Sequence, residues 1–212
     1  MKNKIAAVIA ALALCLGLGV VTSAPALANA PGDCNYSPNL PADVSGCSFY
    51  TGKTICVDGS GINGAYYRVA TIAQAWNNAV GSPNTFALDY SNDCAADGYP
   101  PSRRFVVDAY YGDPNDGVCI LSTNTGRTIG TNNFDWWTQG PGFYLDYNST
   151  CVQGQANRDK AVSIAIGMAM GLNTLTSSGF SSRVMYIGSG AVTMPDANSA
   201  ATLYKIYSGQ LG

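Results

Sequence analysis

Residues 157–171 constrain the fold of this chain more than any other segment. Ala161, Val162, Ile164, Ala165, Ile166, Met168, Ala169 and Met170 leave almost no polar face on a helix drawn through them. A helix that is apolar nearly all round must be enclosed by other elements. The spacing therefore predicts a helix over 157–171 at the centre of a domain, ended at Gly171, with the rest of the chain as its wrapping.

Two further helices follow from pattern. Val69, Ile72, Ala73, Trp76 and Val80 recur at i, i+3, i+4, i+7 and i+11, and Gly81-Ser82-Pro83 stops the run. Asp196, an N-cap residue type, opens a last helix carrying Ala200, Leu203, Tyr204 and Tyr207. Strand-like runs occupy 86–90, 105–111, 118–121 and 143–147, with Asp/Asn/Gly/Pro turns such as 113–117 between them. Short strands or a hairpin are expected over 48–57, and Trp136-Trp137 falls in an expected loop. The order of helix, strands, central helix, loop and terminal helix defines an α+β domain.

The start of the chain reads as an export signal. Lys2 and Lys4 precede an unbroken apolar run over 5–21, and Ala26-Leu27-Ala28 supplies a small-residue cleavage box. A membrane anchor is the rival reading of that run. The expected division is a signal peptide at 1–28, an N-terminal arm rich in Pro, Asn, Asp and Gly at 29–47, and a single domain at 48–212, with no stable membrane span in the mature chain. Cys15 leaves with the signal. Cys34, Cys47, Cys56, Cys94, Cys119 and Cys151 remain. An even set in an exported chain points to three disulfides, with the pairing open among fifteen possibilities. The expected location is extracellular, with association with the cell wall also open.

Composition removes several chemistries. The chain has no His and no Glu, and its net charge is −2. Without His there is no Ser-His-Asp or Cys-His nucleophile and no imidazole to hold a metal. Without Glu the commonest carboxylate base is gone. The sparse basic residues argue against a nucleic-acid partner.

Against this background, the run Ile164-Ala165-Ile166-Gly167-Met168-Ala169-Met170-Gly171-Leu172-Asn173-Thr174 resembles the zinc helix of the metzincin metalloproteases, especially the matrixins and the small secreted actinobacterial group. Gly167, Ala169, Gly171 and Leu172 fit the pattern HELGHALGLxH. Downstream, Ser182-Arg183-Val184-Met185-Tyr186 resembles the Met-turn, with Met185 as its methionine. The resemblance covers about residues 48–209. It implies a metzincin-like twisted mixed sheet with a first helix, a buried central helix and a C-terminal helix. It also places Ile164, Met168 and Thr174 at the three zinc-ligand positions and Ala165 at the general base. None of these side chains can do that work, so the resemblance implies a pseudoenzyme that holds no zinc.

Other constellations stay open beside it. Met168, Met170 and Met185 are a soft-metal set or core filling, and core filling is expected. Asp113 with Asp116, and Asp93 with Asp97, are weak calcium candidates that read equally as turns. Asp135 beside the Trp pair is the nearest approach to an Asp-based hydrolase site. Tyr66-Tyr67, Tyr110-Tyr111 and Trp136-Trp137 are aromatic doublets; Trp136, Trp137, Tyr110 and Tyr111 are the candidates for binding an extracellular protein or a cell-wall glycan. The expected function is a secreted, disulfide-stabilised pseudo-metalloprotease that binds or supports. The alternatives are a cell-wall or glycan-binding module and an Asp-based hydrolase.

The missing His carries a test. Only the α-amino group of such a chain ordinarily titrates between pH 5 and 8. The melting temperature is expected to be nearly flat across that range, and a steep change would reveal a strongly perturbed Asp or a bound ion.

Overall fold

A computed structural model describes residues 40–49, 54–81, 85–113, 119–123, 127–129, 135–188 and 192–211. In chain order its elements are β1 (Cys47–Ser48), β2 (Thr54–Asp58), α1 (Gly64–Tyr67), α2 (Val69–Val80), β3 (Ala87–Ser91), β4 (Arg104–Tyr110), β5 (Ile120–Thr123), β6 (Arg127–Ile129), β7 (Asp135–Trp137), β8 (Gly142–Asp146), α3 (Gln155–Ala169) and α4 (Ala197–Tyr207). The domain is mixed α+β.

The main sheet has five strands in the order β3-β2-β4-β8-β5. The first four are parallel, and β5 closes one edge antiparallel to β8. One face is built by alternation. Ile55 and Val57 of β2, Phe105 and Val107 of β4, and Phe143 and Leu145 of β8 are all buried. Register aligns them, with Val57 beside Phe105 and Val107 beside Phe143. The helix α3 packs on β4 and β8, and α2 packs on β3 and on both α3 and α4.

The helix α3 is buried from Ala161 through Ala169. Burying Val162, Ile164, Ile166 and Met168 contributes about 1.5–3 kcal/mol each. A helix that ends in the interior also has to satisfy its last carbonyls there. Gly171 takes φ +108°. Leu172 N–H then reaches Gly167 O at 2.9 Å and Gly171 N–H reaches Met168 O at 3.1 Å, the paired bonds of a Schellman turn. Aromatic donors satisfy two further carbonyls at this end, Trp137 Nε1 donating to Ala169 O at 3.1 Å and the Tyr207 hydroxyl to Met170 O at 3.0 Å, while Trp76 Nε1 adds a second bond to the mid-helix carbonyl of Ser163 at 3.2 Å.

Of the two readings of 48–57, short strands hold and a hairpin does not, because β1 and β2 belong to different sheets. One expectation changes. The expected loop around Trp136-Trp137 contains β7, which lies between β1 and β6 in a second, three-stranded sheet. The described end of the N-terminal arm is integrated into the core: Val44 bridges to Leu172, Ser45 N–H bonds to Gly171 O, and Asp43 pairs with Arg183 and accepts from Thr202. The structure wraps this segment around the end of α3, where Leu172 and Gly171 need backbone partners.

Cys56 is bonded to Cys94, and Cys119 to Cys151. Cys47 is also disulfide-bonded, and Cys34 lies outside the described residues. The first link ties β2 to the loop after β3, and the second ties the start of β5 to the turn before α3. In a chain-entropy view each contributes about 4 kcal/mol. Among the described residues no helix is long and apolar enough to cross a membrane.

Gly171 gives a direct test. A Cβ there would lie 2.7 Å from Cys47 O, on top of the positive φ. Gly98 has φ +82° with nothing within 4 Å of its Cβ position. Gly98→Ala should cost about 1 kcal/mol of backbone strain, and Gly171→Ala at least about 2–3 kcal/mol. Urea midpoints that fall equally for both variants would show that crowding at α3's end is unimportant.

Candidate functional site

The residues at the zinc-motif positions lie on the centre of α3. Ile164 and Met168 are one turn apart, with Gly167 between them on the same face. Ile164 is 3% exposed, Ala165 0% and Met168 1%. Thr174 is half-buried beyond the Schellman turn. The face is filled, and Met185 is part of the filling. A Cβ on Gly167 would stand 2.6 Å from the Met185 sulfur and 3.3 Å from Trp76, so only glycine lets both side chains approach the helix. The segment around Met185 is stitched in place: Leu175 N–H bonds to Met185 O, Ile187 N–H to Leu175 O, and Val184 N–H to the carboxylate of Asp196. The same carboxylate caps α4 through Asn198 and Ser199 N–H, as expected for Asp196. The donor set does not fit zinc. Two hydrocarbon or thioether side chains, an Ala and a Thr hydroxyl offer no three N, O or thiolate ligands and no base.

The remaining candidates scatter. The Met170 sulfur lies toward the Tyr207 hydroxyl at 3.9 Å, and the Met185 sulfur sits at Gly167, so each fills a gap in the packing. The Asp93 carboxylate caps Ala96 N–H, Asp97 accepts from Ser91, and Asp89 accepts from Tyr99. The stretch thus uses its carboxylates as turn and side-chain partners. No cluster of three metal-ligating side chains occurs among the described residues. Asp113 is described, and Asp116 lies outside. Asp108 and Asp146 share a face of adjacent strands, but Asp108 is pressed against Gly61, and Asp146 is fully buried with one oxygen held by Gly112 and Asn148 N–H. Neither is placed as a catalytic carboxylate in a cleft.

The binding candidates divide. Trp137 is 2% exposed with its N–H on α3, so it is core and is withdrawn as a surface residue. Trp136 is placed by its backbone in β7, opposite Ser48 and Thr128, and its side chain lies outside the description, as does that of Asp135. Tyr110 is half-buried at the end of β4. Tyr111 is 78% exposed and meets Tyr147 with ring centroids 5.2 Å apart.

One motif passed over in the sequence sits where chemistry often does. Gly59-Ser60-Gly61-Ile62-Asn63-Gly64 follows β2 and opens α1, the spacing of a dinucleotide-binding turn. The space a pyrophosphate would need is taken. Asp108 packs on Gly61, Tyr90 stands 2.7 Å from a Cβ at Gly59, and Asp58 receives Ser60 N–H. Two carboxylates beside the loop repel a phosphate, so the glycines here serve packing. Compared with known proteins, the chain matches no protein-family model and no curated protein.

Burial shifts three groups far from their ordinary values. Burial pushes the Lys160 ammonium down to about 8. Burial, reinforced by neighbouring tyrosines, pushes the Tyr67 phenol up to about 12, and burial raises Tyr207 further. Between about pH 8 and 10 the unfolded chain holds a lysine proton that the native protein has lost, so stability should rise. Above about pH 10 the native tyrosines keep protons that the unfolded chain gives up, so stability should fall. Lys160→Met should remove the rise and Tyr67→Phe part of the fall. Urea midpoints against pH that keep the same shape in both variants would contradict this assignment.

Proposed function

We propose that this chain is a secreted, disulfide-stapled domain of metzincin-like architecture whose zinc cleft has become core, and that it works by binding or support instead of peptide hydrolysis. The observation that carries this reading is the burial of Ile164, Ala165 and Met168 to 3% exposure or less, with Met185 seated on Gly167 between Ile164 and Met168. The order of elements agrees with the resemblance: a first helix, a mixed sheet, a central helix ended at Gly171, a Met-bearing segment and a closing helix. Two disulfides among the described residues suit an oxidising compartment. The packing of Met185 on Gly167 supports this reading, since it joins the helix to the Met185 segment without a metal.

The purified protein should contain no stoichiometric zinc, should melt at the same temperature with and without a chelator, and should not cleave unfolded protein substrates. Elemental analysis and a peptidase assay check these outcomes. Zinc at one equivalent together with chelator-sensitive cleavage would overturn the proposal. So would a Met168→Ala variant that retained wild-type stability, because a packed residue in that position should cost about 2–5 kcal/mol when truncated.

A further inference from the structure

A buried cation with no counter-charge among the described residues lies at the start of α3. Arg158 is 8% exposed. Its guanidinium lies back over the helix N-terminus: Nη1 donates to Val152 O at 3.3 Å and to the Tyr66 hydroxyl at 2.7 Å, and Nη2 donates to Gln155 Oε1 at 3.2 Å. All three acceptors are neutral. The adjacent carboxylate, Asp159, is matched to Arg68 at 3.0 Å and to Gln155. Among the described residues no carboxylate pairs with Arg158. Buried charges ordinarily are paired, because desolvation is costly otherwise.

Among the described residues three buried side-chain atoms lack a partner: Asp146 Oδ2, Arg158 Nε and the Tyr67 hydroxyl, of which the last two belong to the residues on either side of the Tyr66 ring. The Tyr66 ring joins them, with its centroid 5.2 Å from that of Tyr67 and 3.8 Å from Arg158 Cζ, and the Tyr147 and Tyr111 phenols act on the Tyr67 hydroxyl. Arg158 Nε and the Tyr67 hydroxyl can both donate. The helix beneath them has Gly154 at its N-cap, no side-chain cap and no acidic residue in its first turn. A guanidinium, a phenol and an uncapped helix N-terminus all favour a negatively charged oxygen ligand.

The surroundings narrow its class. Tyr66 covers the guanidinium, with Cζ 3.8 Å from the ring centroid, and is itself 42% exposed on the four-residue α1. Tyr147 is 41% exposed and stands against the more open Tyr111. Flat, half-wet phenol rings offer stacking surface and hydroxyls together, which suits the C–H faces and hydroxyls of a sugar better than a bare inorganic anion. The planar edge carrying Nε matches a carboxylate in a two-point contact.

We propose that the start of α3, with Arg158, Tyr66 and Tyr67, is a carboxylate site, and that its ligand is an acidic saccharide whose sugar ring stacks on Tyr147 and Tyr111. A shift of the Tyr66 ring uncovers Nε for the carboxylate. The inference rests on the proposed binding role only for the protein's having a ligand. It does not depend on the history of the zinc cleft.

Calorimetric titration of the full protein with an oligogalacturonate tests it, beside a neutral galactose oligomer of equal length, acetate and inorganic phosphate. The acidic oligomer should bind at least tenfold more tightly than each of the other three. Tyr111→Ala/Tyr147→Ala should weaken it several-fold with an unchanged melting temperature, and Arg158→Gln should weaken it at least tenfold. Equal affinity for the neutral oligomer, or no binding of the acidic one, overturns the proposal. Equal affinity for phosphate or acetate, or a tyrosine double variant of full affinity, overturns the saccharide assignment. If Arg158→Gln fails to fold, the ligand comparison and the tyrosine variant still decide. Zinc-dependent peptidase activity would remove the non-catalytic reading and leave this titration unaffected.

Discussion

A helix with no wet side must be finished inside the protein, and most of this structure follows from how α3 is finished. Helix ends leave carbonyls without partners, and in the interior no water is at hand to take them. Gly171 supplies the left-handed turn that closes two of these bonds. Trp137 and Tyr207 bring N–H and O–H donors to Ala169 and Met170 from opposite directions along the chain. The Tyr207 hydroxyl also accepts from Phe49 N–H at 3.2 Å, which ties the segment after β1 to the same point. The three-stranded sheet, the closing helix and the described part of the N-terminal arm thus meet at one end of α3.

The middle of the helix answers a different demand. Gly167 removes a side chain so that Met185 and Trp76 can both touch the backbone. Trp76 uses the approach to donate to Ser163 O. Met185 is flexible and polarizable and fits the irregular gap that results. The helix face that bears Ile164, Gly167 and Met168 is therefore built from side chains that only pack.

Much of the architecture was legible in the sequence because it depends on local periodicity. The stripes of α2 and α4, the apolar run of α3, the glycine at 171 and the cap at Asp196 all lie in the positions their patterns gave. The strands β3, β4 and β8 were legible for the same reason. The second sheet was not, since β1 has two residues and β6 and β7 have three each, too few for any alternation to show. Trp137 read as a loop aromatic because glycines flank its segment at a distance, while its real determinant is a carbonyl 32 residues later. Arg158 gave no signal, and Tyr67 showed only as half of an aromatic doublet. Their meaning lies in contacts such as Arg158 to Tyr66, 92 residues apart, and in bonds left unmade, which no sequence window contains.

The spread of donors onto α3 has a kinetic consequence. Positions 137 and 207 must both be in place before its carbonyls at 169 and 170 are satisfied. Contacts of such long sequence separation must overcome loop-closure entropy before they return any stability. Half-assembled forms would expose an apolar rod with unpaired carbonyls, so they are poor resting points. The chain should accordingly reach its native state late and all at once.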